Sequence, residues 1–312
     1  MRLAFFGTPR ISAIILLSLI ESEYDVVSVV TAEDKPKGRG LKAEPAEVKK
    51  VASVYSIPTL TPKSLRDESF IKSFLSISFD LAIVCAYGKI IPKRLLEVPY
   101  FGFVNVHFSL LPKYRGASCV QYTILFGEEK TGVTFFLIDE GLDSGLVLEQ
   151  VEAPILSDDT SCTLTMRLTE LAKLNLAHVI DGHVSGHISP RIQEESEITY
   201  CPLIQKSDGR LYFNLEPEVL VNVVRAMYPW PKAYCCINSK RVIIHKAHAE
   251  KPLAFSSEGL TYGQVAKTRA GFGICAKGGL FVPDLLQLEG RKVLNNKEFL
   301  SGYKDLLQKA FL

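Results

Sequence analysis

The chain has almost no net charge, no paired cysteines, no apolar run long enough for a membrane and no repeat, and each absence removes a class of protein. Its 36 Lys and Arg against 34 Asp and Glu leave a formal charge of +2 over 312 residues. A protein that coats nucleic acid carries a global basic footprint, so any RNA contact here must use a local patch. The 7 cysteines are odd in number and scattered, and without a Cys-x-x-Cys pair they support neither a zinc ribbon nor a disulfide framework. Reduced thiols and a cytoplasmic location are expected. The 6 histidines have no ligand-like spacing, so no metal site is expected. The run Ile11 to Ile20 is too short to span a bilayer, lacks a small-residue cleavage site and follows a strand-like Leu3 to Phe6. A buried helix after a strand is the simpler reading, with no membrane partner.

What is present is an average globular composition, 47% hydrophobic and 22% charged, in a chain longer than one core usually serves. Two domains are therefore expected. In the first half, short apolar runs (Leu3 to Phe6, Val26 to Val30, Leu81 to Val84, Phe103 to Phe108, Val133 to Ile138) alternate with helical segments at Ile11 to Ser22, Ala46 to Tyr55, Cys119 to Phe126 and Leu164 to Val184. That alternation predicts an α/β domain with a mostly parallel sheet over residues 1–187. Residues 188–206 lose periodicity around Pro190, Pro202 and the charged Gln193-Glu194-Glu195-Ser196-Glu197 stretch and read as a linker. Residues 207–312 open with an amphipathic helix, Leu215 to Ala226, and continue as short strand candidates at Val242 to His245, Gln264 to Lys267, Phe272 to Ala276 and Leu280 to Val282. A small β-barrel is expected there.

One strand candidate carries chemistry. Alternation along Phe103-Val104-Asn105-Val106-His107-Phe108 places Asn105 and His107 on the same face. Both lie towards the carboxyl end, where open α/β sheets place their ligands. On its own, such a pair is more often a satisfied core or edge feature. Downstream, Ser109-Leu110-Leu111-Pro112-Lys113-Tyr114-Arg115-Gly116 is turn-rich, and Val133 to Ile138 runs into a second loop, Asp139-Glu140-Gly141-Leu142-Asp143-Ser144-Gly145. An ordinary turn with solvated acids would look similar. A third feature is basic: Lys35, Lys37, Arg39 and Lys42 flank Gly38 and Gly40. Such a loop can pair with phosphates, or it can be a plain solvated surface.

Taken together, Asn-x-His-x-Ser-Leu-Leu-Pro-x-x-Arg-Gly followed by Asp-x-Gly-x-Asp-x-Gly resembles the signature of the folate-dependent formyltransferases. Three further segments are similar to the branch of that family that acts on methionyl-tRNA: Phe6-Gly7-Thr8-Pro9, the basic loop from Asp34 to Pro45, and Arg225-Ala226-Met227-Tyr228-Pro229-Trp230-Pro231. The resemblance implies a Rossmann-like catalytic domain followed by an OB-like tRNA-binding domain. It implies formyl transfer from 10-formyltetrahydrofolate to the α-amino group of methionine on initiator tRNA, with no metal. The implied catalytic residues are Asn105 and a protonated His107, as donors to the oxyanion of the tetrahedral intermediate, and Asp143, as orienter of His107 and proton relay. Ser109, Leu110, Leu111 and Pro112, with Tyr87 and Gly88 acting through their backbone, are implied on the folate. Lys35, Lys37, Arg39, Lys42 and Lys206 are implied on the tRNA, and a monomer is the expected form.

The amine is itself the nucleophile, so neither Ser109 nor Cys119 is proposed as a covalent catalyst. The chain departs from the branch pattern after Thr199-Tyr200, where Cys201, Pro202 and Leu203 stand in a segment usually reading Ala-x-Lys, with Tyr212 and Phe213 further on. Ser118-Cys119 likewise replaces a usual Ala-Pro. The rival readings are a formyltransferase for an amino sugar or glycinamide ribonucleotide, a hydrolase of the same folate, and a non-catalytic folate- or RNA-binding relative.

Overall fold

A computed structural model of the chain describes residues 1–37, 42–251, 261–268, 271–308 and 310–311. These form two compact units. The first comprises Met1–Cys119, Lys130–Pro154 and Thr165–Cys201, and the second Val120–Glu129, Ile155–Leu164 and Pro202–Leu312.

The first unit contains strands β1 (Arg2–Gly7), β2 (Asp25–Val30), β3 (Lys35–Lys37), β4 (Lys42–Glu44), β5 (Thr59–Leu60), β6 (Leu81–Cys85), β7 (Phe103–His107), β8 (Arg115–Gly116), β9 (Lys130–Leu137), β10 (Val147–Pro154) and β11 (Tyr200–Cys201). Helices α1 (Arg10–Ile20), α2 (Glu47–Val54), α3 (Glu68–Leu75) and α4 (Lys93–Leu96) interleave with them, while α5 (Cys119–Leu125) and α6 (Ser161–Val184) run across the division between units. Seven strands form one sheet in the order β10-β9-β7-β6-β1-β2-β5. The run from β7 to β5 is parallel, and β9 and β10 are antiparallel. Parallel strands covered on both faces read as continuous apolar runs, which is why β1 and β6 were legible. By contrast β10 is a half-exposed edge carrying Glu149 and Glu152, so it left no apolar run to find. Below the sheet, Phe6 meets Phe74, Tyr87 and Phe103 at ring separations of 5.5, 5.4 and 5.4 Å. These edge-on contacts fix the core on which β7 rests.

Helix α6 begins at Ser161, a turn before the expected Leu164, because its first turn is polar. There Asp159 accepts a hydrogen bond from Thr163 Oγ1 at 2.9 Å. The expected linker is partly ordered structure. Arg191 and Val147 exchange backbone hydrogen bonds of 2.8 Å, and β11 pairs in parallel with β8.

The second unit has α7 (Pro217–Ala226), with proline in its first turn where a missing N–H costs nothing. Then come β12 (Ala233–Ile237), β13 (Lys240–Glu250), β14 (Val265–Thr268), β15 (Gly271–Ala276), β16 (Gly279–Leu288), β17 (Val293–Asn295) and α8 (Asn296–Gly302). The strands form one antiparallel sheet, β12-β13-β16-β15-β14, with β17 on β16. Phe311 joins its two margins: it bridges Ile237 of β12 and donates its N–H to Gly263 O, ahead of β14, at 2.8 Å. No described helix is long and apolar enough to cross a membrane.

Candidate active site

Strand β7 is the last parallel strand of the sheet, and its other neighbour, β9, runs the opposite way. The register sets Asn105 opposite Phe136 and His107 opposite Thr134. The expected shared face is therefore formed, with Asn105 half-buried and His107 buried beside the edge of Phe136. Because β7 stops at His107, the chain is released into the 109–116 loop at the carboxyl edge.

His107 Nε2 lies 3.1 Å from Tyr114 O. A carbonyl only accepts, so Nε2 carries a proton and donates it, which leaves Nδ1 as the atom that titrates. Nδ1 faces Asp143 Oδ2 at 3.8 Å. That is beyond a direct hydrogen bond but within reach of one mediating water or a small closure. Burial pushes the His107 imidazole below its ordinary 6.5, against the opposing pull of the Asp143 charge and the Tyr114 carbonyl. Desolvation wins because the carboxylate stands off. This shift favours the uncharged imidazole, in which Nδ1 can receive a proton.

Asp143 is held from several directions. Its Oδ2 accepts the Gly116 N–H at 2.7 Å, and its backbone adopts φ +50°, a left-handed conformation that aspartate tolerates better than most residues. Within the loop Asp139 Oδ1 accepts from Gly141 N at 3.0 Å and from Ser144 Oγ at 2.7 Å. A side chain at Gly145 would run into the Leu137 carbonyl, which gives the last glycine of Asp-x-Gly-x-Asp-x-Gly a physical reason. Gly116, at φ +121° against the Cys201 carbonyl, is constrained in the same way.

The 109–112 loop is pinned to β9 by one hydroxyl. Thr134 Oγ1 donates to Ser109 O at 2.6 Å and accepts from Leu111 N and Gln150 Nε2, both at 3.1 Å. Gln150 Nε2 also donates to Leu111 O at 2.7 Å, and Ser109 Oγ donates to Lys113 O at 2.8 Å. Ser109 and Leu111 are buried, whereas Leu110 and Pro112 are half-buried. The Tyr87 ring points into the core against Phe6 while Gly88 is exposed at φ +78°.

Lys35, Lys37 and Lys42 lie on the β3–β4 hairpin, in which Lys35 pairs with Glu44 and Lys37 with Lys42. Arg39 lies outside the described residues. Lys206 is exposed and opens a short 3-10 turn in the second unit.

Sequence reading assigned no role to four residues that hold these loops together. Arg115, buried to 7% exposure, gives its Nε and Nη2 to Gln193 Oε1 at 3.1 and 2.7 Å. Gln193 Nε2 in turn donates to Asp143 O and Gly145 O, both at 2.8 Å. Thr199 Oγ1 accepts the Tyr114 N–H at 2.8 Å. Cys201, whose thiol burial raises to about 11, donates towards Tyr114 O at 3.2 Å, the same carbonyl that His107 uses. Gln193 and Thr199 sat among charged residues without periodicity, and nothing in that pattern marks a residue that folds back onto a site. Among the described residues, no cluster of three or more His, Cys, Asp or Glu is placed to hold a metal ion.

A mostly parallel α/β sheet with an Asn, His and Asp cluster at its carboxyl edge, followed by an antiparallel second unit, defines the class. The chain belongs to the formyl transferase family: residues 1–180 match the family described as Formyl transferase, and residues 203–304 match Formyl transferase, C-terminal domain. Among its relatives, the methionyl-tRNA formyltransferase of Thermodesulfovibrio yellowstonii is 40% identical over 96% of this chain and 95% of its own length. That of Geotalea uraniireducens is 36% identical over 97% and 96%. Among solved structures, the N-formyltransferase of Helicobacter canadensis, in complex with folinic acid and dTDP-3-aminofucose, superposes with a TM-score of 0.68. It covers 90% of this chain and 98% of its own at 18% identity, a likeness of fold.

Proposed function

We propose that the protein transfers the formyl group of 10-formyltetrahydrofolate to the α-amino group of methionine on initiator tRNA, in support of translation initiation. The observation that carries the acceptor is the match to relatives named methionyl-tRNA formyltransferase, which runs through both units over 96% of the chain. The chemistry draws its support from the Asn105, His107 and Asp143 geometry.

The methionine nitrogen attacks the formyl carbon and gives a tetrahedral intermediate with a negative oxygen. Asn105, half-buried beside His107, donates to that oxygen, and a fixed donor in a dry site is worth far more than one in water. As the C–N bond forms the amine gives up a proton. Neutral His107 takes it at Nδ1, with Asp143 stabilising the resulting imidazolium and relaying the proton across the 3.8 Å gap. Return of the proton to the folate nitrogen as its bond to carbon breaks completes the transfer with no covalent enzyme intermediate. The backbone of residues 109–112, with that of Tyr87 and Gly88, supplies the folate contacts. Lys35, Lys37, Arg39, Lys42 and Lys206 supply phosphate contacts on the tRNA, without which the near-neutral chain would hold RNA weakly.

The test is an acceptor assay run side by side with methionyl-tRNA, glycinamide ribonucleotide, a nucleotide-linked amino sugar and water, with 10-formyltetrahydrofolate as donor. Formylated methionyl-tRNA as the dominant product is expected. Preferential formylation of another acceptor, or release of formate alone, overturns the proposal. Replacing Lys37 and Arg39 together with alanine should reduce the salt dependence of tRNA use by about two phosphate contacts and leave folate binding intact. Equal loss of folate binding would place the two residues elsewhere.

A further inference from the structure

Residues 191–201 are attached to the first unit at both ends. Arg191 bridges Val147 at the start of β10, and Tyr200 and Cys201 pair with Arg115 and Gly116 of β8. Between these anchors Gln193, at 6% exposure, uses its whole amide: Oε1 accepts two N–H groups of Arg115, and Nε2 donates to the carbonyls of Asp143 and Gly145. A carboxamide has two acceptor positions and two donor hydrogens, and all four are engaged. A buried polar group satisfied in this way has one allowed orientation, since any rotation leaves several groups unpaired.

The geometry points to Gln193 as a positioning residue for formyl transfer: it fixes the backbone of Asp143 and so sets the distance of the Asp143 carboxylate from His107 Nδ1. This inference rests on the proposed role of Asp143. Two restraints converge on that residue from opposite ends of its chemistry. Gly116 N–H holds the carboxylate and Gln193 holds the main-chain carbonyl. Each partner is in turn fixed by the 191–201 segment, through Cys201 pairing with Gly116 and through Gln193 itself. The φ of +50° at Asp143 has no helix or strand of its own to enforce it, so side-chain clamping does the work. The same amide ties Arg115, on the loop that leaves His107, to the loop that carries Asp143. The two halves of the candidate site thus share one cross-brace.

The experiment compares Gln193→Leu, Gln193→Glu, Asp143→Asn and each Gln193 variant combined with Asp143→Asn in the full chain. It reads kcat, KM for folate and tRNA, the pH profile and Tm. Gln193→Glu still accepts from Arg115 but has no hydrogens for the Asp143 and Gly145 carbonyls, so it isolates the contact that matters. Both single variants should lose about a hundredfold in kcat, the scale of a displacement of about 1 Å at a reacting group, with little change in KM. In the Asp143→Asn background the same changes should cost little more, because residues acting through one another are not additive. Wild-type kcat in folded Gln193→Glu, or losses that multiply in the double variants, overturns the inference while leaving the Asp143 role standing. Full activity in Asp143→Asn overturns the Asp143 role itself, and the inference falls with it.

Discussion

Two histidines, one in each unit, stand beside carboxylates, and their environments push them in opposite directions. His107 is 6% exposed with one carboxylate 3.8 Å from Nδ1. His248 on β13 is 42% exposed with carboxylates on both nitrogens, Asp284 at 2.8 Å and Glu250 at 3.0 Å. Burial lowers each imidazole. At His248 the Glu250 hydrogen bond and the Asp284 charge outweigh it and the net direction is up, whereas at His107 burial prevails and the net direction is down. A charge pair close enough to hydrogen-bond on both sides has its proton already placed and has nothing to exchange. A buried imidazole with its carboxylate held back is uncharged and can accept a proton. The contrast agrees with the proposed role of His107 in proton transfer and gives His248 none.

The largest effects should come from removing the site pair. His107→Ala and Asp143→Asn are expected to lower kcat by at least about a hundredfold each, the scale of positioned acid–base and oxyanion groups. His248→Gln should leave the formylation rate unchanged. Loss of rate in His248→Gln comparable to that in His107→Ala would dissolve the contrast.

A smaller effect tests whether the distance matters as well as the identity of the group. Gly145→Ala keeps every titratable residue but drives a methyl group into the Leu137 carbonyl, so the loop must shift and carry Asp143 with it. The expected loss is about tenfold or more in kcat, with a lower Tm, as for other changes that force backbone displacement. Unchanged kcat would mean that the Asp143 position is loosely specified and that the stand-off is incidental.

How much of this was legible in the sequence differs between fold and site. Strands β1 and β6 were readable because they are almost wholly buried and apolar residues run with little interruption, and β7 because polar and apolar residues alternate along it. Residues such as Glu149 on β10 hide strand character, because an edge needs polar cover. Asn105, His107 and Asp143 were singled out because the two motifs that contain them resemble the family signature; the shared strand face alone would have left Asn105 and His107 as an ordinary core pair. Gln193 and Thr199 were not found, because their partners are 48 to 85 residues away in the chain and local pattern carries no trace of such a contact.

The smallest effects are in titration, and they give the contrast its sign. His107 has a folded pKa below its unfolded value, so its neutral form costs stability as pH falls from about 6.5 through the folded value, where the unfolded chain takes up a proton first. The acid limb of kcat/KM should therefore lie below the ordinary imidazole range. Residual activity in Asp143→Asn should show it lower still, because the stabilising charge has gone. His248 has a folded pKa above its unfolded value, so its contribution is complete below about 6.5 and is lost as pH rises through the folded value. With 42% of the side chain exposed, solvent screening holds that contribution to about 0.5 kcal/mol, the range of exposed ion pairs. Imidazole NMR titrations of the two residues would resolve the order directly. If His107 titrated above His248, neutral His107 could not serve as the proton acceptor, and the oxyanion would have to be met from the outset by an imidazolium that burial does not support.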